Sequence, residues 1–133
     1  MRLFVMGLLL VNILCGQIVI VMSKDAAFDT IKKREVERLF LAKSKRLPSG
    51  KKAIVVEPKE KQLKSHFYKK VLRKSEIQMR SYWAKMVFTG KGTPPKQVRI
   101  EDISAYLASH ENAIAYLDKS QVTSELKIIM EIK

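Results

Sequence analysis

The sequence predicts an α/β fold: one small domain in which strands and helices alternate, with at least some parallel strand pairing. Two observations predict it. Short runs rich in β-branched or apolar residues (Ile18–Val21, Ala53–Val56, Ala113–Leu117, Leu126–Ile132) alternate with segments whose apolar residues recur at helical spacing. The 133 residues are 47 % apolar and 29 % charged, enough for one packed core and too apolar for a disordered chain.

Each element has a local cause. Gln17–Met22 is an unbroken apolar run, as expected of a strand covered on both faces, and Ser23-Lys24-Asp25 ends it. Lys33–Ala42 is predicted helical, with Val36, Leu39 and Phe40 on one face. Leu47-Pro48-Ser49-Gly50 is a turn, and Ala53–Val56 is a second strand stopped by Pro58. Gln62–Leu72 is predicted helical, with Leu63, Phe67, Val71 and Leu72 inward. Ser75 and Gln78 form a capping box that starts the next helix, along which Ile77, Arg80, Trp83, Ala84, Val87 and Phe88 follow one face. The breaker-rich Thr89–Pro95 ends that helix. Glu101–Ser109 is a further amphipathic helix, with Ile103, Tyr106 and Leu107 inward and acids in its first turn. Ala113–Leu117 and Leu126–Ile132 are the last strands.

The N-terminus reads as an address. Met1-Arg2 precedes Leu3–Leu14, which is apolar except for Gly7 and Asn12 and shorter than the roughly 20 residues that span a bilayer. This predicts a signal peptide over residues 1–16, cut after Gly16, and export to the periplasm. Two alternatives stand beside it. The apolar run resumes at Ile18–Met22, which a membrane anchor would use. Cys15 would serve a lipoprotein, although Leu14 before it is not the small residue that pattern requires.

Charge bounds the partners. Lys+Arg number 26 against 13 Asp+Glu, a net +13, which favours anionic partners. Cys15 is the only cysteine, so a chain cut after Gly16 has no thiol chemistry. His66 and His110 have no metal-ligand spacing and read as surface residues. No Ser-His-Asp or paired-carboxylate pattern stands out, so neither catalysis nor a cofactor is expected.

Particular residues carry the reading further. Leu39-Phe40-Leu41-Ala42-Lys43 with Pro48-Ser49-Gly50 is similar to an Ile-Phe-x-Gly-Lys…Asp-Gly segment. Phe67–Leu72, Tyr82-Trp83 and Phe88–Pro95 follow in order, and Asn112–Tyr116 corresponds to a Gly-Ala-Ile-Gly-Tyr strand. In this order they resemble the phosphate-type substrate-binding proteins of ABC transporters, in a short branch with a single lobe. The resemblance implies a single three-layer lobe of the type 2 periplasmic-binding-protein kind, a mixed sheet flanked by helices, over residues 17–133. It also implies phosphate or another small anion as ligand, and a transporter or envelope partner. The departures bear on function: Ala42, Asn112 and Ala115 stand where the family has glycine. Glu60-Lys61-Gln62-Leu63-Lys64 stands where full-length members hold phosphate with Ser-Gly-Thr at a helix start.

The anion contact expected here comprises Lys61, Gln62 and Lys64 at a helix N-terminus, with Ser23 as a hydroxyl donor from the loop after the first strand. Gly90-Lys91-Gly92-Thr93 lacks the spacing of a phosphate loop and is expected to be a helix-ending turn. Two other functions compete. A basic structural or interaction protein of the envelope would keep the fold without capturing a ligand. A nucleic-acid binder rests on charge alone, lacks interleaved aromatics and conflicts with export.

Overall fold

The computed structural model describes residues 16–133. Five strands, β1 (Ile18–Ser23), β2 (Ile54–Pro58), β3 (Lys96–Val98), β4 (Ala113–Asp118) and β5 (Leu126–Glu131), form one sheet in the order β3-β2-β4-β1-β5. Four helices, α1 (Lys33–Phe40), α2 (Lys61–Phe67), α3 (Glu76–Phe88) and α4 (Ile100–Ala108), join them. β2 runs parallel to β3 and β4, whereas β1 is antiparallel to both its neighbours. The sheet is therefore mixed, as expected.

Alternation along the central strands makes the three layers. Ile18, Ile20, Met22, Ile114 and Tyr116 face α1, α2 and α3, whose Val36, Phe40, Phe67 and Met79 close over them. Val19, Val21, Ala113, Ala115 and Leu117 face α4, which buries Ile103 and Leu107 completely. Each such leucine or isoleucine contributes about 1.5–3 kcal/mol. β1 is buried at every position because both its faces are covered. Ile18–Met22 thus belongs to a sheet and not to a membrane anchor, and no helix among the described residues is long and apolar enough to cross a membrane. Leu3–Leu14 and Cys15 lie outside the described residues.

Local differences from expectation have physical causes. α1 stops at Phe40, where the expected helix ran to Ala42. Ala42 turns left-handed (φ 59°), its N–H bonds to the Leu39 carbonyl at 3.1 Å, and the Lys43 N–H reaches back to Arg38 at 2.8 Å. This is the Schellman closure that normally uses glycine, and it explains the glycine of the resembling pattern at this position. The helix expected over Gln62–Leu72 is α-helical only to Phe67. It continues as a π-helical turn over Tyr68–Leu72, closed by Arg73 in the left-handed region. β3 was not expected, because three residues with one buried side chain carry no pattern. The Ser75–Gln78 capping box forms as expected, with bonds of 3.1 and 2.8 Å.

The inward face of α3 differs from expectation. Met79 is buried, and Tyr82, Trp83 and Met86 are half-buried. Ile77, Val87 and Phe88 are 70, 53 and 91 % exposed. Of the stripe read from the sequence, Trp83 packs against the core, whereas Ile77, Arg80, Ala84, Val87 and Phe88 face solvent.

Candidate functional site

At the carboxyl end of β2 the chain buries an acid. Glu57 is 3 % exposed and has no cation beside it. Such burial is costly unless the carboxylate is hydrogen-bonded, and here three donors reach it. Tyr68 donates its hydroxyl to Oε1 at 3.1 Å, Gln97 donates Nε2 to Oε1 at 2.7 Å, and Tyr116 donates its hydroxyl to Oε2 at 2.9 Å. Lys64 in turn donates Nζ to Gln97 Oε1 at 3.1 Å, linking the buried acid to the surface. Burial, and then the Glu57 carboxylate, push both phenols above their ordinary pKa, Tyr116 especially. Both therefore remain donors throughout the physiological range. The Tyr116 ring also stacks on Phe67 at 3.7 Å. Glu57 and the two tyrosines are buried and fix the edge from within, while Gln97 and Lys64 carry the network out to the surface.

Above it lies the start of α2. Lys61 and Gln62 are its first two residues and are exposed, and Lys64 one turn on is half-buried. Glu60 precedes them. Its Oε2 accepts from the Ile100 N–H, at the start of α4, at 3.5 Å, and its Oε1 is buried without a partner. The chain thus places its own carboxylate beside the beginnings of α2 and α4.

Ser23 does not join this group. Met22 pairs with Ile114 and Ile18 with Asp118, while β2 runs alongside β4 in the same direction. The carboxyl end of β1 is therefore the amino end of β2, and Ser23 sits across the sheet from Lys61, Gln62 and Lys64. Its buried hydroxyl accepts from the Asp25 N–H at 3.1 Å, which shapes the turn after β1. The expected four-residue contact is corrected to three residues at one edge. The cause is strand direction, which the β1 sequence does not encode.

The remaining motifs are accounted for. Gly90 (φ 70°) ends α3, and the Thr89 hydroxyl bonds to the Lys85 carbonyl at 2.8 Å, so Gly90–Thr93 is a helix-ending turn. This turn helps to line an open cleft of about 500 Å³, together with Leu39, Lys45, Lys52, Val55 and Val87. His110 is half-buried, not a free surface residue: it stacks on Tyr106 at 4.0 Å with Nδ1 2.8 Å from the Tyr106 carbonyl. His66 is half-buried beside Gln17 and Lys70.

The sequence signal for Glu57 was its place directly after the apolar run Ile54–Val56. Its partners lie 11, 40 and 59 residues away, beyond any local pattern.

No family model and no curated protein matches the sequence. Solved structures do match in fold. A phosphate ABC transporter substrate-binding protein from Clostridium perfringens, with bound phosphate, aligns with a TM-score of 0.66 and 14 % identity, over 85 % of this chain and 44 % of that one. An ABC-type phosphate transport receptor from Vibrio cholerae aligns with a TM-score of 0.56 and 10 % identity, over 86 % of this chain and 45 % of that one. The chain spans less than half the length of these proteins. In fold, therefore, the chain is similar to a part of these substrate-binding proteins.

Proposed function

We propose that this chain is an exported, non-catalytic module that contacts phosphate or a similar small oxyanion weakly from one side, in the setting of an ABC transporter or the cell envelope. The observation that carries the reading is the fold likeness, which takes in 85 % of the chain. Lys61 and Gln62 are the proposed contacts, with Lys64 behind them. They stand at the carboxyl edge of β2, where open α/β sheets bind their ligands, and their exposure leaves them free to meet an anion. The proposed contact is made from one lobe, which by itself does not enclose a ligand, so the affinity that enclosure adds is not part of it. The Glu60 carboxylate opposes the anion as well.

Export rests on the leader. Among the described residues hydrogen bonding starts at Gln17, whose carbonyl accepts from the Lys119 N–H at 2.8 Å, so a cut after Gly16 leaves β1 whole. N-terminal sequencing of the protein recovered from the periplasmic fraction tests the cut.

Calorimetric titration with inorganic phosphate at low ionic strength tests the ligand. Saturable binding that Lys61→Glu abolishes and Lys45→Glu leaves intact supports the reading. A response that chloride reproduces at equal ionic strength removes it. The second reading, an envelope protein that keeps the fold without capture, draws support from Glu57 and Glu60, two acids at the edge an anion would use.

A further inference from the structure

We propose that the outward face of α3 and the adjoining loop 43–52 dock this protein onto an anionic membrane surface. α3 carries two apolar faces. One holds Met79, Tyr82 and Met86 against the core. On the opposite side Ile77, Ala84 and Phe88 share one face, a strip with the polar Ser81 between the first two, along a helix ~20 Å long. Phe88 at 91 % and Ile77 at 70 % exposed mark its ends, and Val87 widens it. A folded domain rarely leaves a phenylalanine, an isoleucine and a valine on one helix face without something to cover them.

Charge identifies what covers the strip. Arg80 and Lys85 flank it, Arg73 and Lys74 precede it, Lys91 follows it, and Glu76 is the only acid on the helix. At its Phe88 end it meets the loop 43–52. Val87 and Gly90 from the end of α3 line the same cleft as Lys45 and Lys52 from that loop. The loop exposes Lys43, Lys45, Arg46, Lys51 and Lys52, contains no acid, and is pinned by the buried Leu47. Among the described residues the ion pairs engage only Arg99, Lys119 and Lys127, so none of these cations is neutralised. An apolar strip bordered by cations is the composition of a helix that lies in the headgroup region of an anionic bilayer. An extended anionic plane meets the strip and the basic loop together. A second copy of this chain, also at +13, would repel.

Trp83 gives the test. It is the chain's only tryptophan and lies half-buried on the flank of α3. The full chain is titrated with vesicles of phosphatidylcholine with brominated acyl chains, and with vesicles in which part of that lipid is replaced by phosphatidylglycerol with the same brominated chains. The expected result is quenching of Trp83 only in the anionic vesicles, relieved by salt. Ile77→Ser/Phe88→Ser should weaken it roughly tenfold or more, with an unchanged melting temperature. Lys45→Glu/Lys52→Glu should weaken it and flatten its salt dependence, whereas Lys61→Glu should leave it alone, which separates this surface from the phosphate reading. Wild type and variants are also compared after removal of residues 1–16, so that vesicle binding by the leader is told apart from binding by α3. Sedimentation with vesicles while Trp83 stays unquenched overturns the proposal, as does equal quenching of the wild type and the apolar double variant. Retention on polyglutamate that Ile77→Ser/Phe88→Ser abolishes, without vesicle binding, overturns it in favour of an acidic protein partner.

Discussion

Phe67 and Phe88 are the same residue near the ends of two helices, and they meet opposite fates. Phe67 closes α2, is fully buried, and stacks on Tyr116 with Phe40 5.0 Å away. Phe88 closes α3 and is 91 % exposed. Around the first, the structure supplies every polar atom of Glu57 with a partner. Around the second, apolar surface and unpaired lysines are left open. The side around Phe67 is the more complete of the two, although Glu60 Oε1 lacks a partner and Lys61 and Gln62 are exposed there, and the side around Phe88 is built as if something else were to complete it.

Breaking the complete side should have the largest effect. Phe67→Ala removes a buried ring that contacts two other aromatics, and the cavity adds to the lost transfer energy, so a loss of about 3–5 kcal/mol is expected. Urea denaturation measures it. A loss below about 1 kcal/mol would mean that the aromatic cluster is not the centre of this core.

Tyr116→Phe should cost less, about 2 kcal/mol, because it leaves the shape intact and takes one donor from a buried carboxylate. It also changes the response to alkali. The folded state holds the Tyr116 proton to a higher pH than the unfolded chain does, by burial first and by Glu57 second. The stabilisation is fully present below the unfolded value of about 10 and is lost as pH rises from there towards the folded value. Unfolding free energy should fall above about pH 10 by up to about 1.4 kcal/mol per pH unit for this group. In Tyr116→Phe that contribution to the slope should vanish. An unchanged alkaline slope would mean that Tyr116 is not held protonated by its surroundings.

The same contrast explains what could be read from the sequence. β1, β2, β4 and β5 were legible because their apolar runs are local and unbroken. The Ser75–Gln78 capping box was legible because its two residues sit three apart. The Glu57 network was not, since its donors come from α2's extension, β3 and β4, and only the folded sheet brings them together. Ser23 was misplaced because a strand's sequence records its burial and not its direction. On α3 the period was visible, but Ile77, Val87 and Phe88 are as apolar as Met79 and Tyr82. Spacing identifies a stripe and does not say whether it faces core or solvent.

Ala42, in the wall of the cleft beside the end of α3, gives a gentler test. It takes the left-handed position of the Schellman turn at φ 59°, where a side chain costs roughly 1–2 kcal/mol. Against this, its methyl packs near Gly92 and is half-buried. Ala42→Gly should therefore stabilise by about 0.5–1 kcal/mol, seen as a raised urea midpoint. Destabilisation would mean that the Ala42 methyl matters more to the cleft wall than the turn's strain.

Phe88→Ser should have the smallest effect on folding, within about 0.5 kcal/mol of the wild type, because the ring makes almost no contact to lose. It is also the sharpest test of the comparison. A ring kept in water for the sake of folding would be missed when removed, and urea denaturation would show it. If stability holds while solubility or surface adsorption changes, the residue serves something outside the fold. A loss as large as that of Phe67→Ala would mean that Phe88 is covered in solution, and the two ends of the molecule would then be alike.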